Sequence, residues 1–241
     1  MRIGIYSPNW IGDSVIALTF VQSIRAYESD AEIFIVCKEW VAGVYQEHPA
    51  VDGVLSFSSM QLSGLANIYK IGSSLKKYKF DKFFTLTDSF RSAFILWLSS
   101  ARKRYGYNTQ FRSIFLTNPT IISKEDIHRS EKYSRLIQTN SMSPEYPQIH
   151  LSVKEYEWAQ KEMKKLGFNN PIALFPFSVA SNRTIPNQIL KNWLENTSDQ
   201  YLVFGSENDI INAEMLMKEC EGVTIKSVSY THLTLPTILL V

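Results

Sequence analysis

The opening of the chain constrains its fold more than any other stretch. Arg2-Ile3-Gly4-Ile5-Tyr6 is a short apolar run, Ser7-Pro8-Asn9-Trp10-Ile11-Gly12-Asp13 a turn containing glycine, and residues 14–27 a long apolar segment. Their lengths and periodicities predict a buried strand, a tight turn and a helix. The same alternation recurs, with strands predicted over 2–7, 32–38, 51–57, 82–87 and 104–108 and helices over 13–27, 40–47, 65–78, 89–99 and 127–139. Strand and helix in strict succession imply a mostly parallel sheet covered on both faces, with right-handed crossovers. Ligands of such sheets bind beyond the carboxyl ends of the strands, where Asp13 stands.

Residues 141–147 are rich in turn formers and read as a linker. Ser152-Val153-Lys154-Glu155 is a capping box, followed by Tyr156, Ala159, Met163 and Leu166 at helical spacing and by Gly167 as a stop. The alternation then restarts, with strands over 172–177, 200–205 and 223–227 and helices over 186–197 and 208–220. The reading is two α/β units in series, 1–150 and 151–228. Residues 171–241 number 71, fewer than the ~100–150 of an independent α/β domain. Residues 229–241 break the alternation and resemble a translated adapter tail, so this stretch is expected to be non-native and the chain truncated at its C-terminal side.

Several function classes fall away. A net charge of +2 provides no general basic field for nucleic acid. No Gly-x-x-x-x-Gly-Lys-Ser/Thr, Gly-x-Gly-x-x-Gly or Gly-x-Ser-x-Gly occurs, and two cysteines with four scattered histidines form no metal-ligand set, so neither metal nor cofactor is expected. Cys37 and Cys220 read as buried thiols of a reducing, cytoplasmic compartment. The apolar burst over 93–98 is too short to span a bilayer, which leaves only peripheral contact with a membrane.

Asn9-Trp10-Ile11-Gly12-Asp13-Ser14 resembles the opening motif of glycosyltransferase family 9, the ADP-heptose:lipopolysaccharide heptosyltransferases, and most closely their heptosyltransferase II branch. The likeness continues through residues 32–36, 48–52, Thr87-Asp88-Ser89-Phe90-Arg91-Ser92-Ala93, Arg104-Tyr105-Gly106-Tyr107 and His128-Arg129-Ser130-Glu131-Lys132-Tyr133. Phe175-Pro176, Arg183-Thr184-Ile185-Pro186 and Phe204-Gly205-Ser206 follow in the family's order, so the resemblance covers roughly residues 1–226. It departs from the family at Phe177, where a glycine is usual, at Ile185, where a tryptophan is usual, and in lacking the later Asp-Ser/Thr-Gly segment that serves the donor pyrophosphate.

What the resemblance implies is a GT-B fold of two Rossmann-like domains, the first acceptor-side and the second, incomplete here, for the nucleotide sugar. It implies metal-independent, inverting transfer of heptose from ADP-heptose to the lipopolysaccharide inner core, at the inner face of the inner membrane. Asp13 becomes the general base, although spacing alone reads it as a helix cap. Gly12, Arg183, Ser206 and Asp209 become donor-binding residues. Arg183 otherwise reads as a loop arginine and Asp209 as a helix-start acid. Trp10, Arg91, Arg104 and Arg112 become acceptor contacts, with bidentate arginine suited to carboxylates and phosphates, or else ordinary surface residues. Without the pyrophosphate segment the chain is expected to turn over poorly. Two other readings stay open: a GT-B transferase with another nucleotide-sugar donor, and a non-catalytic nucleotide- or glycan-binding module.

Overall fold

The computed structural model describes residues 1–122, 127–137, 146–178, 184–196, 200–205 and 209–220, and the backbone of 224–229. Arg183, Ser206, most of the expected linker and the expected tail beyond 229 lie outside the described residues. The chain divides into two compact units, Met1–Leu151 and Ser152–Val241.

In the first unit the order is β1 (Arg2–Tyr6), α1 (Ile11–Tyr27), β2 (Glu32–Lys38), α2 (Gly43–Gln46), β3 (Gly53–Phe57), α3 (Leu65–Ser74), β4 (Lys82–Thr85), α4 (Phe90–Leu98), β5 (Lys103–Tyr107), β6 (Asn118–Thr120) and α5 (Arg129–Ser134). The six strands form one parallel sheet ordered β3-β2-β1-β4-β5-β6. Successive strand residues point to opposite faces, so each strand feeds two cores. Ile5, Ile35 and Phe84 join Leu18, Phe20 and Val21 of α1 on one side. Tyr6, Val36 and Phe83 join Ile68 and Ile71 of α3 and Ala93 and Leu96 of α4 on the other.

Gly72 lets α3 and α4 approach, because a Cβ built on it would lie 2.5 Å from the Leu98 Cβ. Alanine gains ~1 kcal/mol over glycine in a helix interior, but overpacking a close contact costs ~1–3 kcal/mol. Gly72→Ala is therefore expected to destabilise the protein by about 1 kcal/mol, read as a lower urea midpoint; an unchanged or higher midpoint would show that the helices separate freely.

Two local expectations change. The helix predicted over 40–47 is a 3₁₀ turn (Glu39–Val41) followed by the short α2. The break falls at Ala42, between the two, and the Trp40 indole donates to the Asn9 carbonyl (2.7 Å), tying the first turn to the β1 loop. β6 was not legible because it contains Pro119, which lacks a ladder donor; it stands at the sheet edge, where that loss is tolerated.

His48 is buried beside β3, with Nδ1 accepting from the Ala50 amide and its ring edge-on to His150 at 4.8 Å. Burial, then the neighbouring His150, push its pKa down to about 4. The unfolded chain, with histidine near 6.5, takes up that proton first. Stability present above pH 6.5 is therefore expected to fall as the pH drops toward about 4. His48→Asn, which keeps an acceptor for the Ala50 amide, should flatten that slope in urea titrations; an equal slope in the variant would assign it to other groups.

In the second unit α6 (Val153–Leu166) starts on the Ser152–Glu155 capping box and stops at Gly167, whose φ of 72° is left-handed. β7 (Ile172–Leu174), α7 (Asn187–Leu194), β8 (Gln200–Gly205), α8 (Ile210–Glu219) and β9 (Thr224–Ser229) follow, with three parallel strands ordered β7-β8-β9. Leu190, Leu194, Tyr201, Val203 and Leu216 form its core. Cys37 and Cys220 are both buried, free thiols.

Candidate active site

The sheet order reverses between β1 and β4, and the loops leaving these two strands diverge there. Such a switch point is where open α/β sheets bind ligands. The β1 loop is fixed from below: buried Ser7 hydrogen-bonds through its hydroxyl to the Tyr45 hydroxyl (2.7 Å), and the Ser14 hydroxyl donates to the Pro8 carbonyl (3.3 Å). Trp10 is the N-cap residue of α1 and makes no side-chain cap bond. Its ring is 70% exposed. Gly12 sits in the first turn, and no atom lies within 4 Å of where its Cβ would be. Packing does not demand glycine there; its absent side chain leaves the helix N-terminus open to approach.

Asp13 follows one residue on, its side chain 25% exposed. Its Oδ2 accepts from the Arg129 guanidinium at 3.1 Å rather than capping its own helix. Across the switch point, Asp88 of the β4 loop accepts from Lys132 (2.6 Å) and Arg112 (3.4 Å). Lys132 is held in turn over the Tyr107 ring, 5.0 Å from its centroid, while the Tyr107 hydroxyl donates to the Lys132 carbonyl. Burial raises the Tyr133 phenol to about 12, keeping it protonated beside Arg129. Asn9, Trp10, Asp13, Thr87, Asp88, Arg129, Lys132 and Tyr133 line a pocket of about 150 Å³. A larger one of about 590 Å³ shares Asn9 with it and adds Tyr6, Lys38, Phe90, Arg91 and Phe94. There the Arg91 guanidinium donates to the Leu62 carbonyl (3.0 Å), and burial, then the Arg91 charge, lower the Lys38 pKa. The pair of cations suits an anionic ligand.

The residues singled out from the sequence thus separate. Trp10, Gly12, Asp13 and Arg91 gather at the carboxyl edge of the sheet. Two expected acceptor contacts need correction. Arg104 is near the start of β5, level with Phe83, and donates to the Ala101 and Phe115 carbonyls at the opposite, amino edge. Arg112 is completely buried and donates to the carbonyls of Tyr107, Thr87 and Ser89, so it braces the β4 loop and offers no surface to a ligand. In the second unit Asp209 stands at the start of α8, and a Cβ on Gly205 would come within 2.9 Å of the Asp209 Cβ. Glycine at the end of β8 thus makes room for that acid. Arg129, Lys132 and Asp88 received no role from the sequence. Their only signal was membership of segments that resemble the family, because the approach of α5 to α1 is a tertiary event. Among the described residues no cluster of three or more His, Cys, Asp or Glu could hold a metal ion, and no helix is long and apolar enough to cross a membrane.

Two α/β units, each built on a parallel sheet and the first in Rossmann strand order, make this a GT-B glycosyltransferase architecture. The family model for glycosyltransferase family 9 (heptosyltransferase) matches residues 68–226. The chain belongs to glycosyltransferase family 9. It is 22% identical over 129 residues to lipopolysaccharide heptosyltransferase 2 of Escherichia coli, covering 52% of this chain and 36% of that protein. It is 24% identical over 176 residues to lipooligosaccharide heptosyltransferase 2 of Campylobacter jejuni, covering 72% and 46%. The matched segments thus span less than half the length of these relatives. Among solved structures, E. coli ADP-heptose lipopolysaccharide heptosyltransferase II superposes with a TM-score of 0.81 at 19% identity, over 99% of this chain and 76% of that one. A family 9 glycosyltransferase from Veillonella parvula superposes with a TM-score of 0.83 at 16% identity, over 94% and 68%. An E. coli heptosyltransferase solved with ADP-2-deoxy-2-fluoro heptose gives 0.71 at 17% identity, over 97% and 78%.

Proposed function

We propose that this chain carries the acceptor-side unit and part of the donor-side unit of a heptosyltransferase, which moves heptose from ADP-heptose to the lipopolysaccharide inner core. The observation that carries the reading is the Asp13 carboxylate: it lines the switch-point pocket, stays partly exposed, and is held by Arg129 instead of being spent as a helix cap. The names of the relatives supply the sugar and the acceptor, and the solved complex with an ADP-heptose analogue supports the donor.

In the proposed reaction an acceptor hydroxyl enters the pocket and passes its proton to Asp13 as its oxygen attacks the anomeric carbon. The bond to ADP breaks, ADP leaves with the electron pair, and the new glycosidic bond has inverted configuration. No metal takes part. Arg129 holds the carboxylate in place until the hydroxyl arrives, and Trp10 and Arg91 bind the acceptor. Gly12 leaves room for the donor, Arg183 takes its phosphate, Ser206 adds a donor contact, and Asp209 accepts from the ribose. The protein works in the cytoplasm, peripheral to the inner membrane.

A donor panel tests the class. Transfer, slow without the pyrophosphate segment, is expected with ADP-heptose and not with UDP- or GDP-sugars, and calorimetry should show ADP binding that is the same in Asp13→Asn. Preference for a UDP-sugar would move the chain to another GT-B donor class, and binding without any transfer would make it a binding module.

A further inference from the structure

We propose that the outer surface of α3 and α4 docks on an anionic lipid bilayer. The first observation is an exposed aromatic ridge. Phe90, Phe94 and Trp97 stack in succession along α4, at 6.4 and 5.7 Å between ring centroids, and Phe115 packs against all three at 5.1–5.8 Å. Yet Trp97 remains 48% exposed, and beside it Tyr69 and Leu65 of α3 are 59% and 76% exposed. A groove of about 550 Å³ gathers Tyr69 and Trp97 with Lys76 and Arg102.

The second observation is charge. Residues 53–122 hold ten Lys and Arg against two acids, in a chain whose net charge is only +2; with Arg112 buried and Lys82 paired with Glu28, eight of those cations remain. Both acids are engaged: Asp81 accepts from the Arg2 amide and pairs with Arg102, and Asp88 is taken by Arg112 and Lys132. Lys70 of α3 and Lys76 and Lys77 in the turn after it are exposed, Lys76 in the groove with Tyr69 and Trp97.

Trp and Tyr at headgroup depth with a cationic rim are what a membrane–water interface selects, and an anionic leaflet attracts each such cation. A second copy fits worse, because a two-fold contact sets the same basic rim against itself. Nucleic acid fits worse, because exposed Leu65 offers neither charge nor a stacking plane. The face runs into the pocket that holds Lys38 and Arg91, which shares Asn9 with the Asp13 pocket. This deepens the proposed function, since an acceptor anchored in the bilayer could reach Asp13 from the docked face, but the docking itself is measured without turnover.

Cosedimentation of the full chain with vesicles tests it. Binding is expected to vesicles containing phosphatidylglycerol and to be weak with phosphatidylcholine alone. Lys70→Gln/Lys76→Gln/Lys77→Gln should lower partitioning roughly 100-fold, about fivefold per lysine, and Tyr69→Ala/Trp97→Ala about tenfold. Equal binding to both vesicle types would overturn the proposal, as would wild-type partitioning by the triple variant. So would self-association or nucleic-acid binding abolished by the same substitutions in place of vesicle binding. Vesicle binding without heptose transfer would sink only the reaction; transfer with no vesicle binding would sink only the docking.

Discussion

Asp13→Asn is expected to lower heptose transfer by ~10²–10⁴-fold, the usual contribution of a positioned general base. Asparagine keeps the size of the side chain and an oxygen for the Arg129 guanidinium, 3.1 Å away in the wild type. It removes only the ability to take a proton at neutral pH. The lost ion pair is solvent-facing, so it contributes less than ~1 kcal/mol to folding, and the urea midpoint should barely move. A turnover assay with ADP-heptose, run beside a denaturation curve, separates the two effects. Near-normal transfer would demote Asp13 to a structural partner of Arg129.

The largest loss of stability is expected at Arg112. Its guanidinium is fully buried and satisfies the carbonyls of Tyr107, Thr87 and Ser89 besides pairing with Asp88. Arg112→Ala removes the charged donor from all three carbonyls, leaving them only the Thr109 amide and the Thr85 and Ser92 hydroxyls, and takes one of its cations from Asp88. Hydrogen bonds from a charged donor contribute ~1.5–3 kcal/mol each, so the loss of this buried fork costs ~3–5 kcal/mol. Arg112→Lys should recover only part of this, because an ammonium cannot reproduce the planar fork that reaches separate carbonyls. Arg91→Ala, by contrast, should leave the urea midpoint within ~1 kcal/mol and weaken acceptor binding. If Arg112→Ala kept its stability but lost acceptor binding, the assignments of the two arginines would exchange.

These arginines show how far the sequence reaches. A cation in a motif states its charge and not its burial or which end of a sheet it occupies. Arg104 and Arg112 therefore looked equivalent to Arg91 until the register of β5 and the turn after it were known. Asp13 was legible because its strand, turn and helix are local, and period and spacing fix them without tertiary help. Arg129 was not, since it meets Asp13 across 116 residues and through the packing of α5 on α1. The alternation of strands and helices gave the parallel sheet, but not the edge strand β6, whose proline hides it. The glycine at the end of β8 could be read only once Asp209 was seen beside it.

The central place of β1 also shapes how the protein is made. β1 is made before both of its partners: it pairs on one side with β2 some thirty residues later, and on the other with β4 about eighty residues later. At synthesis rates of ~5–20 residues per second, one edge of this buried strand stays open for several seconds. An unpaired strand edge is a template for aggregation, so rapid overproduction, which crowds many such open edges together, should yield inclusion bodies.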